Sequence, residues 1–294
     1  GGGAPLFANA AKRKRSVLLL TRNVGSARTR RVLSRLQDAL SEHDVDTIQI
    51  TYSETEHGLY MLRSMPSVDV AIVQCHFEPV AIELLSLLRR KAKSVLFDGA
   101  TVSGLDVDAV ASNWRVSLDM CMRHLMERGH RNIGMIGSTG RSRPIEAIRL
   151  HYESLRAWSP GGAVLHDPVW LDSLPNEDNL GEIGEALDVA RRPDGSFPWS
   201  ALVIWGALDG KLLQGVFSER DIAVPGDLSV VLLGHPGVAT ESNNFFTVIG
   251  SSAAETISAL CELTLRRMAD ERAEFVTRYL EPVIAEGQSE VDTI

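Results

Sequence analysis

The residues able to do chemistry fall in three kinds of place. His124, Glu127 and His130 stand close together at the end of the helical run "RHLMERGH" (123–130), a grouping that could pass a proton. An exposed turn on which His130 caps helix carbonyls accounts for the same residues without chemistry. "GMIGSTG" (134–140) spaces its glycines three apart. That is not the dinucleotide-binding spacing, and no strand-ending acid follows ~20 residues on to hold a ribose. The chain has no G-x-S-x-G, no H-E-x-x-H and no phosphate loop with its lysine. The third kind comprises residues just beyond apolar runs: Arg22, Asn23, Gln74, His76 and Asp98 in the first half, Arg141, Arg143, Trp205 and Asp209 in the second. Such a mix suits a small hydrogen-bonding ligand in a cleft, while a solvated loop side chain is the plain alternative for each of them.

Those apolar runs are the elements that must position the residues. "SVLLL" (16–20), "DTIQI" (46–50), "VDVAIV" (68–73) and "SVLFD" (94–98) are short and continuous, and helical patterns separate them over 26–42, 54–64 and 78–91. Continuous apolar strands alternating with helices predict a parallel sheet buried on both faces, with right-handed crossovers. "GATVSGLDVD" (99–108) breaks the pattern, and a second set of units begins. Asn113 caps a helix carrying Trp114, Leu118, Cys121 and Leu125 on one stripe, and Gly129 stops it because glycine accepts the left-handed conformation. Strands follow at "NIGMIG" (132–137), "ALVIW" (201–205), "LSVVLL" (228–233) and "FFTVIG" (245–250), then a helix over 252–271 and a last strand over 275–284. The fold class is therefore α/β, with two doubly wound parallel-sheet lobes whose strand ends face each other across a cleft.

The 294 residues are 44% apolar and 23% charged, enough to bury two cores of domain size. No apolar run approaches the ~20 residues of a membrane span, and Gly1-Gly2-Gly3 reads as a tag scar and not as a signal peptide. Cys75, Cys121 and Cys261 are an odd number lying in apolar stretches, which points to reduced core thiols of a cytoplasmic protein with no metal site and no cofactor. The net charge of −8 is uneven: residues 1–36 hold nine basic side chains and no acid, which leaves 21 basic against 38 acidic, a net of −17, elsewhere. A basic end on an acidic body suits proximity to an anionic polymer such as DNA, although a solvated linker has the same composition.

"HLMERGHRNIGMIG" (124–137), Arg149 after the next loop, "SALVIWGALDG" (200–210) and "RDIAVPGDLSVVLLG" (220–234) together resemble the LacI-type regulators, the family of the lactose and purine repressors. The resemblance spans about 16–290 and implies a type I periplasmic-binding-protein-like core with a multi-crossover hinge. It also implies a homodimer with the helix at 26–42 in its interface, and a preceding helix-turn-helix that binds operator DNA, with a hinge helix in the minor groove. "PLFANAAKRKR" (5–15) resembles the end of that hinge region, so 1–15 is expected to be tag scar and linker remnant and the chain a core lacking its DNA-binding head. The expected lobes are 16–112 with 240–270, and 113–239 with 271–290.

The family's ligand-holding acids fall here at Ser112, Ala207 and Gly234, so none of the three is a carboxylate. A charged hydrogen bond contributes about 1.5–3 kcal/mol, so their loss argues against an ordinary sugar. Arg149 matches the family's ligand-contacting arginine, and Arg22, Arg141 and Arg143 could join it beside an aromatic wall at Trp205. The expected partner is a small anionic or aromatic effector, and the competing possibility is a cleft without small-molecule control. Solute-binding proteins of transport systems share this architecture, but an export signal and acidic front would then be expected. An enzyme using His76 or Asp209 would need a nucleophile and base pairing that the sequence does not offer.

Overall fold

The computed structural model describes residues 14–22, 26–75, 77–99 and 105–293. The first lobe opens with β1 (Arg15–Arg22), α1 (Ala27–Ser41), β2 (Val45–Tyr52), α2 (Thr55–Ser64), β3 (Val68–Gln74), α3 (Ile82–Lys91), β4 (Ala92–Asp98) and β5 (Asp108–Ser112). The second contains α4 (Trp114–Glu127), β6 (Asn132–Ser138), α5 (Arg143–Trp158), β7 (Val164–Leu165), β8 (Val169–Leu171), α6 (Leu180–Ala190), β9 (Ala201–Trp205), α7 (Gly210–Ser218), β10 (Ser229–Leu233), α8 (Ala239–Ser242) and β11 (Thr247–Gly250). The chain closes with α9 (Ala253–Ala269), β12 (Thr277–Leu280) and β13 (Val283–Ala285).

Two sheets result, in the orders β12-β5-β4-β3-β1-β2 and β13-β11-β10-β9-β6-β7, with β8 also paired to β6. All the pairings are parallel except that of β13 with β11. Helices cover both faces, which is why strands such as "VLLL" (17–20) are apolar at every position and fully buried. The amphipathic stripe of α1, Val32, Leu33, Leu36 and Leu40, packs with Leu260 and Leu263 of α9 over β1 and β3. Burying each such side chain stabilises the lobe by about 1.5–3 kcal/mol. Ser26 caps α1 and Asn113 caps α4, so both helices start where the chain leaves a strand and turns toward the cleft.

The expected division of the later chain, 240–270 in the first lobe and 271–290 in the second, runs differently. β11 pairs with β10, so the second sheet extends to Gly250, and of residues 240–270 it is α9 that returns to the first lobe. The strand expected over 275–284 is two strands, β12 on β5 and β13 antiparallel to β11. Pro282, which lacks an N–H for a ladder, lies between them where the chain changes lobes. The break expected at 99–108 ends in β5, which extends the first sheet and carries the chain to the first crossing. The lobes are thus joined near residues 112, 251 and 281.

Gly129 and His130 form a slot for the chain's end. Gly129 has φ 90°, and the carbonyl of Thr293 occupies the space a β-carbon there would need. His130 Nδ1 lies 2.9 Å from Ser200 Oγ, and its Nε2 lies 3.0 Å from the Val291 carbonyl. Burial, the largest influence, holds the His130 pKa below the ordinary histidine value. His124 Nε2 is 2.6 Å from the buried Glu290 carboxylate, which also accepts from Thr247 Oγ1 at 3.1 Å. Two members of the grouping that could have passed a proton, His124 and His130, are therefore a clamp on the tail, and Glu127 is exposed.

Candidate functional site

The strand ends of both sheets meet at a cleft whose polar floor belongs to the first lobe. Asp98, at the end of β4, is buried and accepts 2.8 and 3.2 Å hydrogen bonds from the two Nη atoms of Arg28 and a 3.0 Å bond from Gln74 Nε2. Burial by itself would lower the Arg28 pKa. The Asp98 charge and hydrogen bonds outweigh it and, with Glu241 nearby, raise the pKa above the ordinary arginine value. The Cys75 thiol beside this pair is pushed up by burial first and by the Asp98 charge second, so it is a poor nucleophile at neutral pH. Gln74 and Asp98, both chosen from sequence, thus come together, but they hold each other and Arg28.

Aromatic residues form the second lobe's wall. Trp205, expected to face a ligand, is 1% exposed. Its ring lies 5.5 Å from that of Trp114 and 5.6 Å from that of Phe77, and His235 stands edge-on to Trp114 at 5.4 Å. Next to His235, the buried Glu241 accepts from the His235 backbone N–H at 3.0 Å and approaches its Nδ1 at 3.3 Å. The Glu241 carboxylate lies where a side chain at Gly234 would begin. The acid absent from position 234 is therefore replaced in space by one from α8, already engaged with its neighbour. Ala207 is buried in the core of its lobe.

The remaining candidates separate. Arg22 pairs with Glu78, and Arg141 and Arg143 are exposed at the start of α5. Arg149, two turns on, has its guanidinium 5.5 Å from the Trp170 ring centre, with a buried Nε that has no hydrogen-bond partner among the described residues. Asp209 caps α7, accepting from the Lys211 and Leu212 backbone N–H groups at 2.8 and 3.0 Å. Asn23 and His76 lie outside the described residues. Two open cavities flank the aromatic centre. One of about 370 Å³ is lined by Ser112, Asn113, Arg115, Arg143 and Tyr279, and one of about 280 Å³ by Phe77, Glu78, Leu85, Arg141 and Arg143.

Sequence reasoning passed over Phe77, Trp114, His235 and Glu241. Two of them carried the same signal as the chosen residues, because Phe77 and His235 stand three and two residues past the ends of β3 and β10, whereas Trp114 reads as part of a helical stripe. Glu241 reaches the cleft only because α8 folds back on β10, which no local pattern announces. Among the described residues no cluster of three His, Cys, Asp or Glu could hold a metal ion, and no helix is long and apolar enough to cross a membrane.

Two parallel-sheet lobes, crossed three times and facing over a cleft of arginines and aromatic rings, define a binding-protein type of core. The periplasmic binding protein-like domain matches residues 122–289, more than half of the chain. The chain belongs to that family, and its fold is that of the LacI-type effector-binding core. It is 26% identical over 252 residues to the HTH-type transcriptional repressor PurR of Erwinia tasmaniensis, covering 81% of this chain and 68% of PurR. A LacI transcriptional regulator from a Rhodococcus species superposes with a TM-score of 0.75 at 17% identity, over 95% of this chain and 99% of that one. The LacI family regulator CCPA from Weissella paramesenteroides, solved with bound sucrose, gives 0.74 at 17% identity over 95% and 100%.

Proposed function

We infer that this core serves a transcriptional regulator, works as a cytoplasmic homodimer and transforms nothing chemically. A small effector between the lobes biases their relative arrangement, and the arrangement sets the spacing of DNA-binding heads and hence operator affinity. The effector can shift that affinity only by its preference for one arrangement over the other. Support comes from the family and from the likeness to PurR.

The effector on this reading is anionic. The observation that carries it is the placing of Arg143 in both cleft cavities, with Arg115 in one and Arg141 in the other, while positions 112, 207 and 234 have no acid. Arginine forks match carboxylates and phosphates in a two-point geometry that a neutral sugar does not use. Arg149, which matches the family's ligand-contacting arginine, adds a buried Nε without a hydrogen-bond partner among the described residues. A thermal-shift screen of carboxylated and phosphorylated metabolites against neutral sugars tests this. A ligand at a hundredfold excess over its Kd stabilises by about 2.7 kcal/mol, a shift of several degrees, and Arg143→Ala or Arg149→Ala is expected to abolish it. A neutral ligand that stabilises parent and both variants alike would refute the anionic effector. The regulatory half is tested by mobility shift: the core fused behind a helix-turn-helix should bind a two-fold symmetric operator, with an affinity that the same ligand changes.

A further inference from the structure

The middle of the cleft is occupied by the protein itself. Phe77 leaves the end of β3 with φ 56°, a left-handed backbone that a bulky side chain rarely adopts. It belongs to the first lobe by sequence, yet its ring packs on the second lobe's core, edge-on to Trp205 at 5.6 Å and tilted against Trp114 at 6.3 Å. The space left between Arg28, Cys75, Phe77, Trp114, Asn176 and His235 is about 30 Å³. That is room for a water and not for a metabolite, whose pockets run to roughly 300 Å³ and more. Lobes of binding proteins close because a guest bridges them. Here a ring on one lobe already touches two rings on the other.

We propose that Phe77 is a built-in occupant of the cleft, a tether that keeps the lobes together without a guest and fills an aromatic subsite between Trp114 and Trp205. Two consequences follow. The arrangement seen here persists in the absence of any ligand, and a free planar aromatic can enter the subsite only by displacing Phe77. The inference stands on the cleft's contacts alone, so it holds or falls whether or not the core regulates transcription.

The test measures the distance between spin labels, one per lobe, attached after Tyr60→Cys on α2 and Val189→Cys on α6, positions 67% and 87% exposed, in a parent whose free Cys75, Cys121 and Cys261 are changed to alanine. No DNA or natural effector is needed. The parent should give one narrow distribution, unchanged by saturating indole. Phe77→Ala should widen the distribution, and indole should narrow it again while binding about tenfold more tightly than to the parent. Phe77→Leu, which keeps apolar bulk but loses the edge-on ring contact, should move the same way to a smaller extent and serves if the alanine variant does not fold. A distribution as narrow as the parent's in the folded variants, or indole affinity equal to the parent's, overturns the proposal.

Discussion

The cleft and the tail clamp use similar side chains to opposite ends. At the clamp, His124, His130 and Arg128 each meet a carboxylate or carbonyl contributed by residues 290–292, within 2.6–3.3 Å. Such contacts are directional, those of His124 and His130 are buried, and together they define one geometry. In the cleft the contacts between lobes are ring against ring, which tolerate sliding, and open cavities lie on both sides. The hydrogen bonds of the cleft floor, among Arg28, Gln74 and Asp98, all stay within the first lobe. The difference shows where the molecule can move: the ring contacts between the lobes are apolar and unspecific in direction, and the Glu241 charge reaches Arg28 from the second lobe through space.

The strongest way to break this contrast is Glu290→Ala. Its carboxylate is 3% exposed and faces His124 and Arg128, so its removal leaves buried polar groups unpaired and should cost about 3–5 kcal/mol in urea denaturation. The spin-label distance between the lobes should not change, and a widened distribution would show that the tail also sets the lobe arrangement. Gly129→Ala comes next. A β-carbon there is strained at φ 90° and meets the Thr293 carbonyl, so a loss of about 1–3 kcal/mol is expected, again without effect on the cleft. Unchanged stability would mean that the tail is not seated in solution.

The same contrast explains what could be read from the sequence. Strands such as "SVLLL" and "ALVIW" are legible because a sheet covered on both faces demands continuous apolar residues, and α1 and α4 because their caps and stripes are local. Lobe membership is not local. "FFTVIG" pairs with β10 through backbone hydrogen bonds that leave no trace in side-chain period, and so it was expected one lobe too early. In the site, the strand-end rule selects Gln74, Asp98 and Trp205 by position, but their partners decide what they do. Trp114 looks like one more member of a helical stripe, and only its place on the first turn after Asn113 sets it against Trp205. Asp209 stands three residues past Gly206 in a loop, where an N-cap and a ligand contact look identical from sequence.

Asp209→Ala separates those two roles. Loss of the cap should destabilise by about 1 kcal/mol while ligand-induced thermal shifts keep their size, and a lost ligand shift would restore Asp209 to the cleft.

The smallest effect concerns pH at the clamp. His130 is buried with its pKa held below the ordinary value, so the folded chain resists a proton that the unfolded chain accepts. Below the unfolded pKa of about 6.5 the unfolded state binds more protons, and stability falls as pH drops from there toward the lower folded value. His166 is also held low, by burial first and by the Arg192 charge second, so the parent's slope contains both groups. The informative quantity is thus the difference between parent and His130→Gln in urea stability measured at about pH 7.5 and about pH 5.5. The variant should be less stable at the higher pH, having lost a buried contact, and should lose less on acidification. Equal losses in both proteins would mean that His130 accepts its proton in the folded state, and the tail clamp would then be looser than the cleft it is contrasted with.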